Sequence, residues 1–299
     1  MNKGILAGIG AYTLWGLFPI YWKLLEQVPA IEILAHRIVW SLIFVALVLM
    51  LQRDWRWLKV TLHDRRTLLI YTLAAILLSI NWFTYIWAVN AGFVVEASLG
   101  YFINPLVNFM LGVIFFKEKL RAGQVAAVVI AVLGVAYLTV SNGSLPWISL
   151  VLAFTFGMYG LIKKTAPLES MHGFSLETMV LFLPALGFLL YRGAAGVGAF
   201  MENGTTTTLL LILAGPVTSI PLVMFGFAAR NIPLSMLGFI QYITPTMQFL
   251  LGVFVYNEPF PTARLVGFCI IWLALLIYSI EGVRFSRKPK ASLSLVEPL

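Results

Sequence analysis

Charge is scarce in this chain: Asp, Glu, Lys and Arg together make up only 11% of its 299 residues. A soluble domain carries about a quarter charged residues because its surface must face water. A surface this poor in charge must face lipid, and a 61% hydrophobic content with a mean hydropathy of +0.94 agrees. Cysteine is scarcer still. The single Cys269 excludes a disulfide framework within one chain and any cysteine-based zinc site. His36, His63 and His172 are scattered without metal-ligand spacing. There is no Walker-type phosphate loop and no nucleophile–base constellation, so neither an ATPase nor an enzyme is expected. The net charge of +8 does not point to nucleic acid, because the basic residues occupy short loops between apolar runs.

What the chain has in abundance is apolar stretches. They fall near 4–24, 32–51, 67–90, 94–116 and 122–140, then near 146–163, 174–191, 207–228, 234–256 and 262–281. Each is long enough to cross a hydrocarbon core of ~30 Å as a helix, which satisfies its own backbone in lipid. The first exceeds the roughly 7–15 apolar residues of a signal-peptide core and lacks a small-residue cleavage site, so it reads as a retained span. The expected fold is an all-α integral membrane protein of ten spans, with both termini on one side. With the termini inside, the inner loops and ends hold 16 of the 20 Lys and Arg; Lys23, Arg37, Arg192 and Arg264 fall outside. Cytoplasmic loops carry the Lys/Arg excess, which predicts cytoplasmic termini.

An internal repeat divides the chain. At an offset of 140 residues, Phe102-Ile103-Asn104-Pro105 lies over Tyr242-Ile243-Thr244-Pro245, Asn108-Phe109 over Gln248-Phe249, and Leu111-Gly112-Val113 over Leu251-Gly252-Val253. Glu118 meets Glu258 and Ala88 meets Ala228 at the same offset, and at one residue more Trp15-Gly16 meets Phe156-Gly157. Residues 1–141 and 142–283 then form two five-span halves, followed by a polar cytoplasmic tail, 284–299. Five is odd, so the halves enter the membrane from opposite sides. Inverted repeats recur in secondary transporters, with the substrate near the midplane between halves. A scaffold or sensor that keeps such a fold without transporting is the alternative.

At Asn81-Trp82, Tyr85 to Asn90, Glu96, Ser98 to Leu106, Gln241-Tyr242-Ile243, Pro245-Thr246 and Gln248 the chain resembles the drug/metabolite transporter superfamily. The match is to its EamA-type members, and within them to the RarD subgroup of bacterial permeases. The resemblance implies a ten-helix, multi-pass permease of the bacterial inner membrane that moves a small organic solute and carries no cofactor. It leaves open the substrate, the direction, the coupling ion and whether the protein is a monomer or a homodimer.

Polar side chains deep in a span are costly and face the bundle interior or a cavity. Tyr101, Asn104, Asn108 and Gly112 share one helical face, and Gln241, Thr244, Gln248 and Gly252 repeat that stripe in the second half. We expect these stripes to face each other and line a substrate site; interhelical glue is the competing role. Pro105 and Pro245 each remove a backbone donor and are expected to break or loosen their helices. Trp15, Asn81, Trp82, Tyr85 and Tyr242 fall in spans that border the same space. Aromatics with a few amides suit an amphipathic organic solute better than an inorganic ion.

Ionisable residues within spans are few. His36 and Arg37 begin the second span, with Glu177 and Thr178 at the equivalent place in the second half. For Arg37 the expected role is an ion pair with Glu32 or another acid, with capture of a substrate carboxylate as the alternative. If a proton is the coupling ion, Glu96, Glu177 and His36 are the candidates. Glu118 and Glu258 end equivalent spans and are candidate gating elements.

Overall fold

A computed structural model describes residues 3–53, 55–116, 121–232 and 240–286. Every regular element among them is a helix. α1 (Lys3–Gly16) and α2 (Phe18–Lys23) form one apolar span broken at Leu17, between Gly16 and the Pro19 that opens α2. α3 (Ala30–Gln52), the short α4 (Arg56–His63), α5 (Arg65–Asn90), α6 (Val94–Phe116) and α7 (Ala122–Asn142) follow. After them come α8 (Trp147–Thr165), α9 (Ser170–Ala194), α10 (Gly204–Asn231), α11 (Ile243–Leu250) and α12 (Thr262–Ser286). A π-helical turn, Leu251–Val255, extends α11.

Eight helices are long and apolar enough to cross a membrane, and two shorter apolar helices lie at Trp147–Lys163 and Ile243–Val255. Their outer faces carry apolar side chains: Val140, Leu183 and Phe254 are each more than 70% exposed. Such a surface belongs against hydrocarbon, where apolar contact costs nothing. The expected weakness of the span around 174–191 is not seen, since α9 runs unbroken through Pro184.

The packing order follows from which faces are small enough to approach. α6 packs on α8 and α11, α5 on α8 and α9, α1 on α10 and α11, α3 on α9 and α10, and α7 on α12. At the α6–α8 crossing a Cβ on Gly100 would lie 2.7 Å from the Ser149 carbonyl oxygen, so only glycine fits there. Two of the buried apolar clusters flank the centre. One gathers Trp22, Ile33, Leu49, Trp82 and Tyr85; the other gathers Leu99, Phe102, Leu138, Phe268 and Ile271.

Candidate substrate site

The expected polar stripes lie on helices that touch, α6 and α11. Their first job is to tie helices together. The Asn104 side-chain amide donates to the Ala153 carbonyl at 3.1 Å, joining α6 to α8. The Thr244 hydroxyl donates to the Tyr12 carbonyl at 2.7 Å, joining α11 to α1. Both side chains are buried, and both bonds satisfy polar atoms that lipid could not. Asn108 donates to Asn104 Oδ1 at 2.9 Å, yet stays exposed one turn along α6, beside Gly157 and Gly160.

Around these ties runs a second network. Gln248 donates through Nε2 to the Tyr85 hydroxyl at 2.8 Å and to the Trp15 carbonyl at 3.2 Å, while its Oε1 is buried without a donor. Tyr85 lies edge-on to Tyr101, with centroids 5.7 Å apart. Tyr101 donates to Asn81 Oδ1 at 3.3 Å, and Asn81 donates to the Leu152 carbonyl and Thr155 Oγ1, both at 3.0 Å. Residues from α1, α5, α6, α8 and α11 thus meet at one place. Tyr242 stands to one side, stacked on Phe102 at 6.5 Å, and Gln241 sits half-buried in the turn before α11.

Arg37 is where the structure departs most from expectation. Its side chain is buried, and among the described residues it pairs with no acid. The guanidinium instead sits 3.8 Å from the Trp82 ring centroid, with Trp22 at 5.2 Å and Phe18 at 5.7 Å. Its Nε and Nη1 have no acceptor. The expected ion pair with Glu32 fails because Glu32 is already occupied. Arg192 donates to it at 2.9 Å and the Ala199 backbone N–H at 2.5 Å. Trp22 and Phe18, absent from the sequence-based expectation, carry a legible signal: with Arg37 counted in, their α2 spacing of four residues presents two aromatics to one neighbour.

The other ionisable candidates are dispersed. Glu177 is buried and held by Lys163 at 2.8 Å and the Tyr159 hydroxyl at 3.1 Å. It borders a small recess that also touches Trp82, Thr178 and Ile38. His36 stacks on Phe200, 5.0 Å away, and both its ring nitrogens lack partners. Glu96, in the first turn of α6, lines an open recess of ≈ 920 Å³ with Trp147 and Arg264. Glu258 accepts the backbone N–H groups of Val94 and Val95. Glu118 lies outside the described residues. Pro105 does not break its helix, which is continuous from Val94 to Phe116; the fixed φ of proline suits a helix and only one ladder bond is lost. Pro245 sits in the first turn of α11, where its missing N–H would have had no partner. Among the described residues no cluster of His, Cys, Asp and Glu could hold a metal ion.

Apolar helices that enclose a shared set of amides, hydroxyls and aromatics define a multi-pass membrane protein of the transporter kind. The EamA-like transporter family matches residues 2–140, and relatives match nearly the whole chain. The protein RarD of Streptomyces exfoliatus is 48% identical over 99% of this chain and 94% of its own. An uncharacterized transporter, YojE, of Bacillus subtilis is 47% identical over 97% and 98%. A chloramphenicol-sensitive protein RarD of Pseudomonas aeruginosa is 30% identical over 96% and 97%. A solved crystal structure shares the fold, with TM-score 0.58 at 19% identity over 94% of this chain and 98% of that one. The chain belongs to the EamA-like transporter family of the drug/metabolite transporter superfamily, on its RarD branch, and is a multi-pass protein of the bacterial inner membrane.

Proposed function

We propose that this chain is a secondary permease moving a small amphipathic organic solute by alternating access. In this reading residues 1–141 and 142–283 are two five-span halves of opposite orientation, and both termini are cytoplasmic. The observation that carries it is the pair of ties from Asn104 to Ala153 and from Thr244 to Tyr12. Asn104 and Thr244 differ by 140 residues and Tyr12 and Ala153 by 141, the offsets of the internal repeat. The helix neighbours support it too: exchanging the two halves turns α6–α8 into α11–α1, α5–α8 into α10–α1 and α5–α9 into α10–α3, all of which pack. A two-fold arrangement of this kind lets one half rock against the other around a fixed site.

The solute class follows from what meets at the centre. Tyr85, Tyr101, Trp82 and Trp15 offer apolar area, and Gln248 and Asn81 offer directional polar groups. The name of the Pseudomonas aeruginosa relative supports adding drug-like amphiphiles to the solutes tested. The test is a thermal-shift screen of purified protein against amino acids, aromatic metabolites and chloramphenicol-like amphiphiles. A ligand bound by the folded state raises its apparent stability with occupancy. A protecting solute whose effect disappears in Asn108→Ala or Gln248→Ala supports the central site. Protection unchanged in both variants removes these residues from it.

A further inference from the structure

Each buried acid described near the centre is already satisfied inside the protein. Glu32 holds Arg192 and the Ala199 amide, and Glu177 holds Lys163 and Tyr159. Glu258 holds the amides of Val94 and Val95. Arg37, 3% exposed, is left with aromatic faces alone. A charge removed from water without a counter-ion is expensive, and a ring face recovers only part of that cost. Its remaining partner must therefore come from outside the chain.

The donors and acceptors around it describe that partner. Nε and Nη1 of Arg37 lack acceptors. The hydroxyls of Tyr21, Tyr85 and Tyr101 lie within electrostatic reach of the guanidinium. Tyr21 donates to the Leu210 carbonyl and Tyr101 to Asn81, so their protons are committed. Tyr85 accepts from Gln248 and so keeps its own proton for a further acceptor. One cation and one hydroxyl donor among Trp22, Trp82 and Phe18 match a singly charged head on an apolar body. A phosphate dianion would need a second cation, and Lys163 is held by Glu177.

We infer that Arg37, unpaired and stacked on Trp82, is the anchor for the carboxylate of a monoanionic aromatic or apolar organic acid, with Tyr85 as second donor. The inference rests on the permease reading and narrows its solute class. It also assigns Trp82 a role: the ring holds the guanidinium in place while the site is empty.

The probes are 3-phenylpropionate, its neutral amide 3-phenylpropanamide, acetate and inorganic phosphate, measured by thermal shift on the full chain in detergent at constant ionic strength. In the unsubstituted protein 3-phenylpropionate is expected to protect at concentrations at least tenfold lower than the amide or acetate. Arg37→Gln removes that preference, leaving acid and amide equally weak. Arg37→Lys, which keeps the charge and guards against a folding defect in the first variant, retains a reduced preference because an ammonium lacks the planar fork. Equal protection by acid and amide overturns the inference, as does a preference that survives Arg37→Gln, or phosphate outcompeting the carboxylates. So does no carboxylate protection at all. Saturable flux of a neutral solute with no carboxylate preference would leave the permease reading standing without this inference. Carboxylate binding dependent on Arg37 with no flux of any solute would do the reverse.

Discussion

Glu258 and Val94 are joined across the bundle: the Glu258 carboxylate accepts the Val94 backbone N–H at 2.6 Å, and that of Val95 at 2.8 Å through its second oxygen. The first N–H groups of a helix have no partner within it, and the helix end favours negative charge. The loop before α12 thus supplies the cap that α6 lacks. Because Glu258 is the repeat equivalent of Glu118, the sequence places an identical acid at the end of each half.

Removing this cap should be costly. Hydrogen bonds to a charged, buried acceptor contribute about 1.5–3 kcal/mol, so Glu258→Ala is expected to destabilise by that order. Glu258→Gln should fall between, since one oxygen still accepts. Thermal unfolding in detergent checks it; an unchanged midpoint for Glu258→Ala would show that the tie carries no stability.

Asp64 caps α5 at the other end of the fold. Its carboxylate accepts the Thr67 hydroxyl at 2.5 Å and the Arg66 amide at 3.0 Å, and these bonds, the hydroxyl first, hold its pKa below the usual carboxylate value. A depressed folded pKa contributes stability above the unfolded pKa of about 3.9, lost as pH falls through the folded value. Asp64→Ala should therefore lower the unfolding midpoint slightly near neutral pH, and the gap between variant and parent should close in acid. A gap that widens in acid would contradict the capping role.

The α6–α8 crossing makes a steric prediction. Gly100→Val places its Cβ 2.7 Å from the Ser149 carbonyl oxygen and 3.0 Å from Leu152 Cβ, so the helices must part. A loss of about 1–3 kcal/mol or more is expected. Gly187→Ala, whose Cβ meets nothing within 4 Å, serves as the matched control and should be neutral. Folded yield and thermal midpoint read both.

Topology can be read chemically. With Cys269 replaced, a cysteine at Ser144, in the exposed turn between α7 and α8, should react with an impermeant thiol reagent in intact cells. A cysteine at His63, at the exposed end of α4, should react only after the membrane is opened. The reverse pattern would place the termini outside and undo the orientation drawn from the Lys/Arg bias.

The helices were legible because a membrane imposes length and composition on them, and the stripe of Tyr101, Asn104 and Asn108 was legible because helical spacing is local. What those amides do was not. Asn104 and Thr244 bond to backbone carbonyls on α8 and α1, and a carbonyl has no sequence signature. Glu32 was expected beside Arg37, five residues away, because proximity along the helix was the information at hand. The structure gives Glu32 instead to Arg192 and Ala199, more than 150 residues distant. The same tertiary choice isolates Arg37 against Trp82. Such charge accounting needs all the partners at once, and no single stretch of sequence holds them.

The central claim is transport through the site where Gln248, Tyr85 and Trp15 meet. Its most direct test is uptake into liposomes containing the purified chain, using a radiolabelled solute that protects in the thermal-shift screen. The account predicts saturable uptake, competed by unlabelled solute and reduced at least tenfold in Gln248→Ala that still folds. Protection without any saturable uptake would contradict it and leave a membrane protein that binds its ligand but does not carry it.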